Sequence, residues 1–172
     1  MQQVGNIEKT VDIQFVKGVK IRPLRGEDLD IFAEFLESLS PKTEDTFHPH
    51  PLDYANAKGI TDAQKTTEGM YFIATYFRYG KEWVIGYVYF GVGGVCSLGI
   101  CVRDGYQGCG LGRNLMEHAV EMAQKDGRKG LTLTVHKRNP PGIHTYEKMG
   151  FSIAEEIADG TMYRMDLQFQ KV

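Results

Sequence analysis

A cluster of glycines at a change of periodicity constrains this chain more than any other feature. Val95 to Val102 has the apolar, β-branched character of a buried strand. Leu111, Leu115, Ala119 and Met122 then recur at the spacing of one helix face, and Asp126-Gly127 marks the end of that helix. Between them stands Arg103-Asp104-Gly105-Tyr106-Gln107-Gly108-Cys109-Gly110-Leu111-Gly112-Arg113. The junction predicts a strand that passes through a tight loop directly into a helix. Glycines at 108, 110 and 112 let the backbone adopt conformations closed to other residues and approach a ligand closely. The first helical turn offers unpaired N–H groups beside the positive end of the dipole, which suits a pyrophosphate. A Walker A loop is excluded, because Leu111 follows the only candidate spacing, Gly105 to Gly110, where lysine is required. The dinucleotide fingerprint is excluded too, since Gly108-x-Gly110-x-Gly112 has the wrong final interval.

The rest of the chain surrounds this junction with strands. Val11 to Val16 and Val19 to Leu24 read as a hairpin around Lys17-Gly18, and Gly26-Glu27-Asp28 opens a helix whose apolar face is Leu29, Phe32, Ala33 and Leu36. Ser40 to Pro51 reads as a loop, followed by a weaker helix over Leu52 to Lys58 and part of Thr61 to Thr67. Met70 to Tyr79 and Glu82 to Val92 are strands joined at Gly80-Lys81. After the glycine loop and its helix come a strand (Leu131 to His136), a helix opened by Pro140-Pro141 and stopped at Gly150, and a closing hairpin of Phe151 to Ile157 and Met162 to Phe169. Antiparallel strands followed by a βαβ unit predict an α/β (α+β) fold. Its centre is a mixed, mostly antiparallel sheet of about seven strands, flanked by helices on both faces.

Composition removes several function classes. A net charge of −2 and the lack of a Lys/Arg-rich cluster argue against a nucleic-acid surface. Val84 to Val102 carries no charge and raises the question of a membrane span, but its five glycines and β-branched residues fit two buried strands better. The odd number of cysteines, Cys96, Cys101 and Cys109, without Cys-x-x-Cys spacing, points to reduced thiols rather than disulfides or zinc. With no apolar segment in Met1 to Lys9, a cytoplasmic, non-membrane protein is expected. No linker divides the chain, so residues 1–172 are read as one domain.

Gln107-x-x-Gly110-x-Gly112, after an apolar strand and opening a helix, resembles the signature of the GNAT superfamily of N-acetyltransferases. So does Asn139-Pro-Pro-Gly-Ile-His-Thr-Tyr146-Glu-Lys-Met-Gly150-Phe151, in the expected order and with one strand between the two motifs. The resemblance implies the GNAT fold, with a cofactor-binding core at about residues 95–151, and an acetyl-CoA-dependent transfer of an acetyl group to a primary amine through a ternary complex. It implies that Ile100, Cys101 and Val102 offer backbone groups to the pantetheine arm, where their strand splays from the one ending at His136. Gln107, Gly108, Cys109, Gly110, Leu111, Gly112 and the Arg113 amide would cradle the pyrophosphate of coenzyme A, and Asn139 would bond the pantetheine. Tyr146 would be both a cofactor contact and the catalytic acid toward the departing sulfur. No metal is implied, and relatives in this family often pair as homodimers through exposed sheet edges.

The chemistry thins out at the base. Some members of the family carry a glutamate before the pantetheine-binding residues, but here the strand reads Val95-Cys96-Ser97-Leu98-Gly99. A water chain, Glu68 or Asp53 remain as candidates. Cys96 or Cys101 as a nucleophile is set against inert buried cysteine. His48 and His50 could orient a substrate or bind a metal, though no third ligand is evident. His136 and His144 read as ordinary polar positions. Ten acids against three bases from Glu27 to Glu68 favour a cationic acceptor, either a small amine or a peptide amine. The absent carboxylate keeps open a non-catalytic acyl-CoA-sensing module on the same scaffold.

Overall fold

Apolar residues alternating along eight short segments pair them edge to edge, and the helices cover what the strands leave open. The computed structural model describes residues 8–47, 50–63 and 70–170. The strands are β1 (Lys9–Ile13), β2 (Val16–Pro23), β3 (Met70–Arg78), β4 (Lys81–Phe90), β5 (Val95–Val102), β6 (Gly130–His136), β7 (Ser152–Ile157) and β8 (Met162–Gln168). The helices are α1 (Leu29–Glu37), α2 (Pro41–Glu44), α3 (Tyr54–Ala63), α4 (Leu111–Lys125) and α5 (Pro140–Lys148). The strands form one sheet in the order β1-β2-β3-β4-β5-β6-β8-β7, in which only the β5–β6 pairing is parallel. The sheet has eight strands, where about seven were expected. Among the described residues no helix is long and apolar enough to cross a membrane; Val84 to Val102 lies in β4, β5 and the turn between them.

Two local expectations change. The first hairpin turns at Gln14-Phe15, between β1 and β2, not at Lys17-Gly18. Gly18 lies inside β2 with φ +72°, where the register slips between Val11 and Ile13, and its N–H donates to Asp12 Oδ1 at 2.9 Å. The glycine marks a bulge, the other structure that needs a left-handed residue in a strand. The expected loop from Ser40 contains the short helix α2, with the Ser40 hydroxyl accepting from Thr43 N–H and Pro41 in the first turn.

Two cores lie on opposite faces of the sheet. α4 packs Leu111, Leu115, Met116, Ala119, Met122 and Ala123 onto β1 to β6, and α5 continues this layer with Ile143 and Tyr146, followed by Met149 at its C-cap. Gly86 allows the close approach: a Cβ there would stand 2.9 Å from Leu115 Cδ1 and 3.2 Å from the Cys101 carbonyl. On the other face Phe32, Phe35 and Leu36 of α1, with Ala57 and Ile60 of α3, cover Ile73, Val84 and Tyr87.

The wedge in the sheet follows from its pairing. β5 stays bonded to β4 as far as Val102, and β6 stays bonded to β8 as far as His136, but β5 and β6 pair only over Val95–Ser97 and Gly130–Thr132. Beyond that point the two halves diverge. The Ser97 carbonyl and the Arg103 N–H both face β4. By the alternation of an extended strand, the N–H and C=O of Leu98, Ile100 and Val102 therefore face the wedge, and those of Cys101 do not.

One buried group in the α4 layer sets a pH dependence. His118 is 2% exposed, packs edge-on to Phe72 at 4.7 Å, and neither ring nitrogen has a hydrogen-bond partner among the described residues. Burial pushes its pKa down to about 4, with Glu121 opposing the shift and Lys9 and Lys125 adding to it. The unfolded chain takes up this proton near pH 6.5. Between those values the unfolded state binds more protons, so stability is intact above about pH 6.5 and falls as pH drops toward 4, by about 3 kcal/mol over the window. Urea denaturation at pH 7 and pH 4.5 is expected to show a smaller acid loss for His118→Leu than for the parent. Equal losses would remove His118 as the cause.

Candidate active site

The glycine loop forms as its residues dictate. Gly108 has φ +72°, and Gly110, the residue before α4, has φ +90°. Nothing lies within 4 Å of where a Cβ would stand at either position, so the loop presents bare backbone to open space. No side chain caps α4; the first intrahelical bond runs from Asn114 N–H to the Gly110 carbonyl at 3.2 Å. The amides of Leu111, Gly112 and Arg113 precede it and are available to an anion.

The loop is held from behind. Gln107 Nε2 donates to the Val102 carbonyl at 3.0 Å and to Thr43 Oγ1 at 2.9 Å, so this side chain braces the loop. Asp104 accepts from Ser40 N–H at 3.0 Å, Ser40 Oγ at 2.5 Å and Thr43 Oγ1 at 2.7 Å. Burial opposes its charge, yet these donors prevail and hold its carboxyl below the usual range. The network fixes α2 beside the loop, a link that the sequence reading did not anticipate.

A cavity of about 410 Å³ opens along this loop, lined by Ile100, Cys101, Val102, Gln107, Gly108, Gly110, Gly112, Arg113, Asn139 and Tyr146 of the expected residues, together with Thr43, Phe47 and Gly142 among others. Two expected residues are turned away: Leu111 is fully buried beneath α4, and Cys109 packs in the same core with its thiol on the Tyr106 carbonyl. Only their main chain can serve a ligand. Asn139 caps α5, its Oδ1 accepting from Gly142 N–H at 3.2 Å. The Arg113 guanidinium pairs with Glu117, leaving its amide for the anion.

A second cavity, of about 490 Å³, shares Thr46, Phe47, Ile100, Asn139 and Tyr146 with the first and runs through the wedge to the opposite face. That face carries Ser97, Gly99, Thr132, Thr134, His136, Met162 and Arg164. One wall is Tyr89, stacked on Tyr71 at 5.1 Å and on Tyr87 at 5.7 Å. Gly99, its cross-strand partner, exists for that ring: a Cβ there would fall 2.2 Å from Tyr89 Cε1. Burial pushes the Tyr89 hydroxyl up to about 12. The Tyr146 hydroxyl sits between the cavities without a hydrogen bond to any described residue. Burial, with a smaller contribution from Cys101, pushes it up to about 12.

Several candidates fall away from the chemistry. Burial, with Asp104 adding to it, pushes the Cys101 thiol up to about 12, which leaves it protonated and inert as a nucleophile. The Cys96 thiol is buried and donates to the Gly93 carbonyl. His50 Nε2 hydrogen-bonds with the Tyr87 hydroxyl at 2.6 Å, while Nδ1 lies 2.6 Å from Asn56 Nδ2 and 2.9 Å from the Pro51 carbonyl; burial lowers its pKa, and it positions Tyr87. Asp53 caps α3 through Asn56 N–H. His48 and Glu68 lie outside the described residues. No cluster of three or more potential metal ligands occurs among the described residues. Of the surplus acids, Asp28 pairs with Arg22, Glu34 with Arg103, Asp45 with Arg138 and Asp62 with Lys58, and no carboxylate lines either cavity among the described residues.

Comparison with known proteins gives a consistent result. The sequence profile described as Acetyltransferase (GNAT) family matches residues 32–151. The chain is 45% identical over 51 residues to streptothricin acetyltransferase of Streptomyces lavendulae, covering 30% of this chain and 27% of that protein. It is 28% identical over 114 residues to acetyltransferase PA5475 of Pseudomonas aeruginosa, covering 63% of this chain and 61% of that protein. The chain thus spans less than two thirds of either relative. Its fold matches the crystal structure of the GNAT domain of S. lividans PAT with a TM-score of 0.81 at 19% identity, over 95% of this chain and 97% of that one.

Proposed function

The chain belongs to the GNAT acetyltransferase family, and from that premise we propose that it transfers an acetyl group from acetyl-CoA to a primary amine by direct attack in a ternary complex. The observation that carries this reading is that the two cavities meet at shared walls, formed by Thr46, Phe47, Ile100, Asn139 and Tyr146. An uncapped helix start at one end leads along the open edge of β5 to the Tyr146 hydroxyl, and from there to a separate chamber on the far face. The uncapped amides suit a pyrophosphate. The unpaired N–H and C=O of Ile100 suit the amides of a pantetheine arm, which can bond to the strand as a further strand would. The chamber beyond Tyr146 suits an amine that meets the thioester from the opposite side.

In this reading the residues divide the work. Gly108 and Gly110 keep side chains out of the anion's space, and Gln107 and Asp104 fix the loop. Asn139 sets the start of α5 and hence the position of Tyr146. A main-chain N–H at the open edge of β5 faces the developing oxyanion. Tyr146 keeps its proton at neutral pH and donates a hydrogen bond to the departing sulfur. Its pKa of about 12 lies well above that of an ordinary thiol, about 8.5, so it stabilises the thiolate without giving up its proton. We read residues 1–172 as one domain, with the cofactor-binding part at about 95–151.

The direct test is calorimetry with coenzyme A and acetyl-CoA, followed by thiol release over a panel of primary amines and peptide N-termini. Binding with turnover on at least one amine is expected. Binding without turnover on any would favour an acyl-CoA-sensing module, and absence of binding would refute the reading.

A further inference from the structure

We propose that His136 is the general base that takes the proton from the acceptor amine. The inference rests on the acetyl-transfer reading above and supplies a group that the strand Val95–Gly99 lacks. An alkyl amine is mostly protonated at neutral pH, and its nitrogen cannot attack a thioester until it loses a proton. Among the described residues of the far chamber there is no carboxylate. The Arg164 guanidinium cannot accept a proton, and Tyr89 and Tyr146 are held neutral by burial. The hydroxyls of Ser97, Thr132 and Thr134 are too weakly basic. Among the described residues His136 brings the chamber's only imidazole, the side chain best suited to exchanging protons near neutrality.

Its placement fits the role. Leu131, Leu133 and Val135 of β6 face the α4 core, so Thr132, Thr134 and His136 face the open side where an acceptor would enter. His136 ends β6, and its carbonyl accepts from Asn139 N–H at 2.9 Å. The base is thereby fixed to the turn that opens α5 and carries Tyr146. The ring is partly exposed and has no hydrogen bond to any described residue, which leaves its nitrogens for the amine or one bridging water. The cations around it have their own carboxylates: Lys137 pairs with Glu156, Arg138 with Asp45, and Arg164 with Glu155 and Asp166. Met162 stands directly opposite on β8.

The protons balance. The ammonium gives one proton to a ring nitrogen of His136, and the amine nitrogen bonds to the thioester carbonyl carbon. The C–S bond then breaks, and the thiolate is protonated at the expense of the second proton on that nitrogen. The amide leaves, and His136 releases its proton to solvent.

The test compares the parent with His136→Asn, His136→Ala and Glu68→Gln, using the best amine from the panel. His136→Asn is expected to lower kcat/KM about 100-fold and to abolish the acidic limb of its pH profile, with coenzyme A binding unchanged by calorimetry. Added imidazole is expected to restore part of the rate to His136→Ala. A parent that turns over while His136→Asn keeps both rate and acidic limb overturns the assignment. Loss of that limb in Glu68→Gln alone overturns it as well. A parent that does not bind coenzyme A refutes the acetyl-transfer reading itself, and that result is separate from any effect of His136.

Discussion

Gly110→Glu is expected to raise the dissociation constant for coenzyme A by at least about 100-fold while the protein remains folded. The space where its side chain would start is empty, so the substitution meets no protein atom. It does put a carboxylate where the amides of Leu111, Gly112 and Arg113 converge, and that charge would take the site of the diphosphate. Hydrogen bonds to charged groups contribute about 1.5–3 kcal/mol each. Losing two of them, before any repulsion is counted, gives the stated factor. The backbone contributes a separate effect, because Gly110 has φ +90° and any Cβ there costs about 1 kcal/mol or more. Gly110→Ala carries the strain without the charge, so its modest loss of melting temperature and affinity sets the baseline. Calorimetry on both variants, with thermal melts to confirm folding, separates the two. An unchanged dissociation constant for Gly110→Glu would mean that the phosphates bind elsewhere.

What the sequence shows and what it hides follow from how far apart the cooperating residues lie. The loop-to-helix junction is local: apolar strand, glycines and helical spacing lie within about thirty residues, and the structure has them in that order. Gly18 was visible as a residue needing positive φ, but a glycine serves a turn or a bulge equally, and only the pairing with β1 decides between them. Ser40-Pro41 is a helix-start signal in plain view, an N-cap before proline, obscured by the prolines that follow in the same segment. Cys109 and Leu111 fall inside the anion-binding motif, yet their side chains belong to the core. A motif read from main-chain roles does not say where side chains go. The far chamber was the least legible part. Tyr89 and Gly99 are adjacent only because β4 and β5 pair, and His136 shares its chamber with Tyr146 only because β5 and β6 diverge. The acid surplus showed the opposite failure: its charges are close in sequence, but Asp28, Glu34, Asp45 and Asp62 are spent on separate ion pairs and none of the described acids lines either cavity.

Tyr146→Phe is expected to lower kcat by 10- to 100-fold and to change the dissociation constant for coenzyme A by less than about threefold. The ring packs near Phe151, with centroids 6.2 Å apart, and phenylalanine preserves that contact, so the change removes one oxygen and little else. That oxygen has no protein partner among the described residues, so no buried group is left unsatisfied by its removal. The hydrogen bond it would make forms fully only when charge develops on sulfur, which places the loss in kcat rather than in ground-state affinity. A single such bond to a charged atom is worth about 1.5–3 kcal/mol, which sets the range. Because burial keeps the phenol protonated up to about pH 12, the parent's rate should show no alkaline decline from Tyr146 between pH 7 and 10. The substitution should therefore scale the profile down over that interval without changing its shape. A phenol that had to deliver its proton outright would instead lose rate as it ionised, and an unaltered kcat in the phenylalanine variant would reduce Tyr146 to a packing residue of α5.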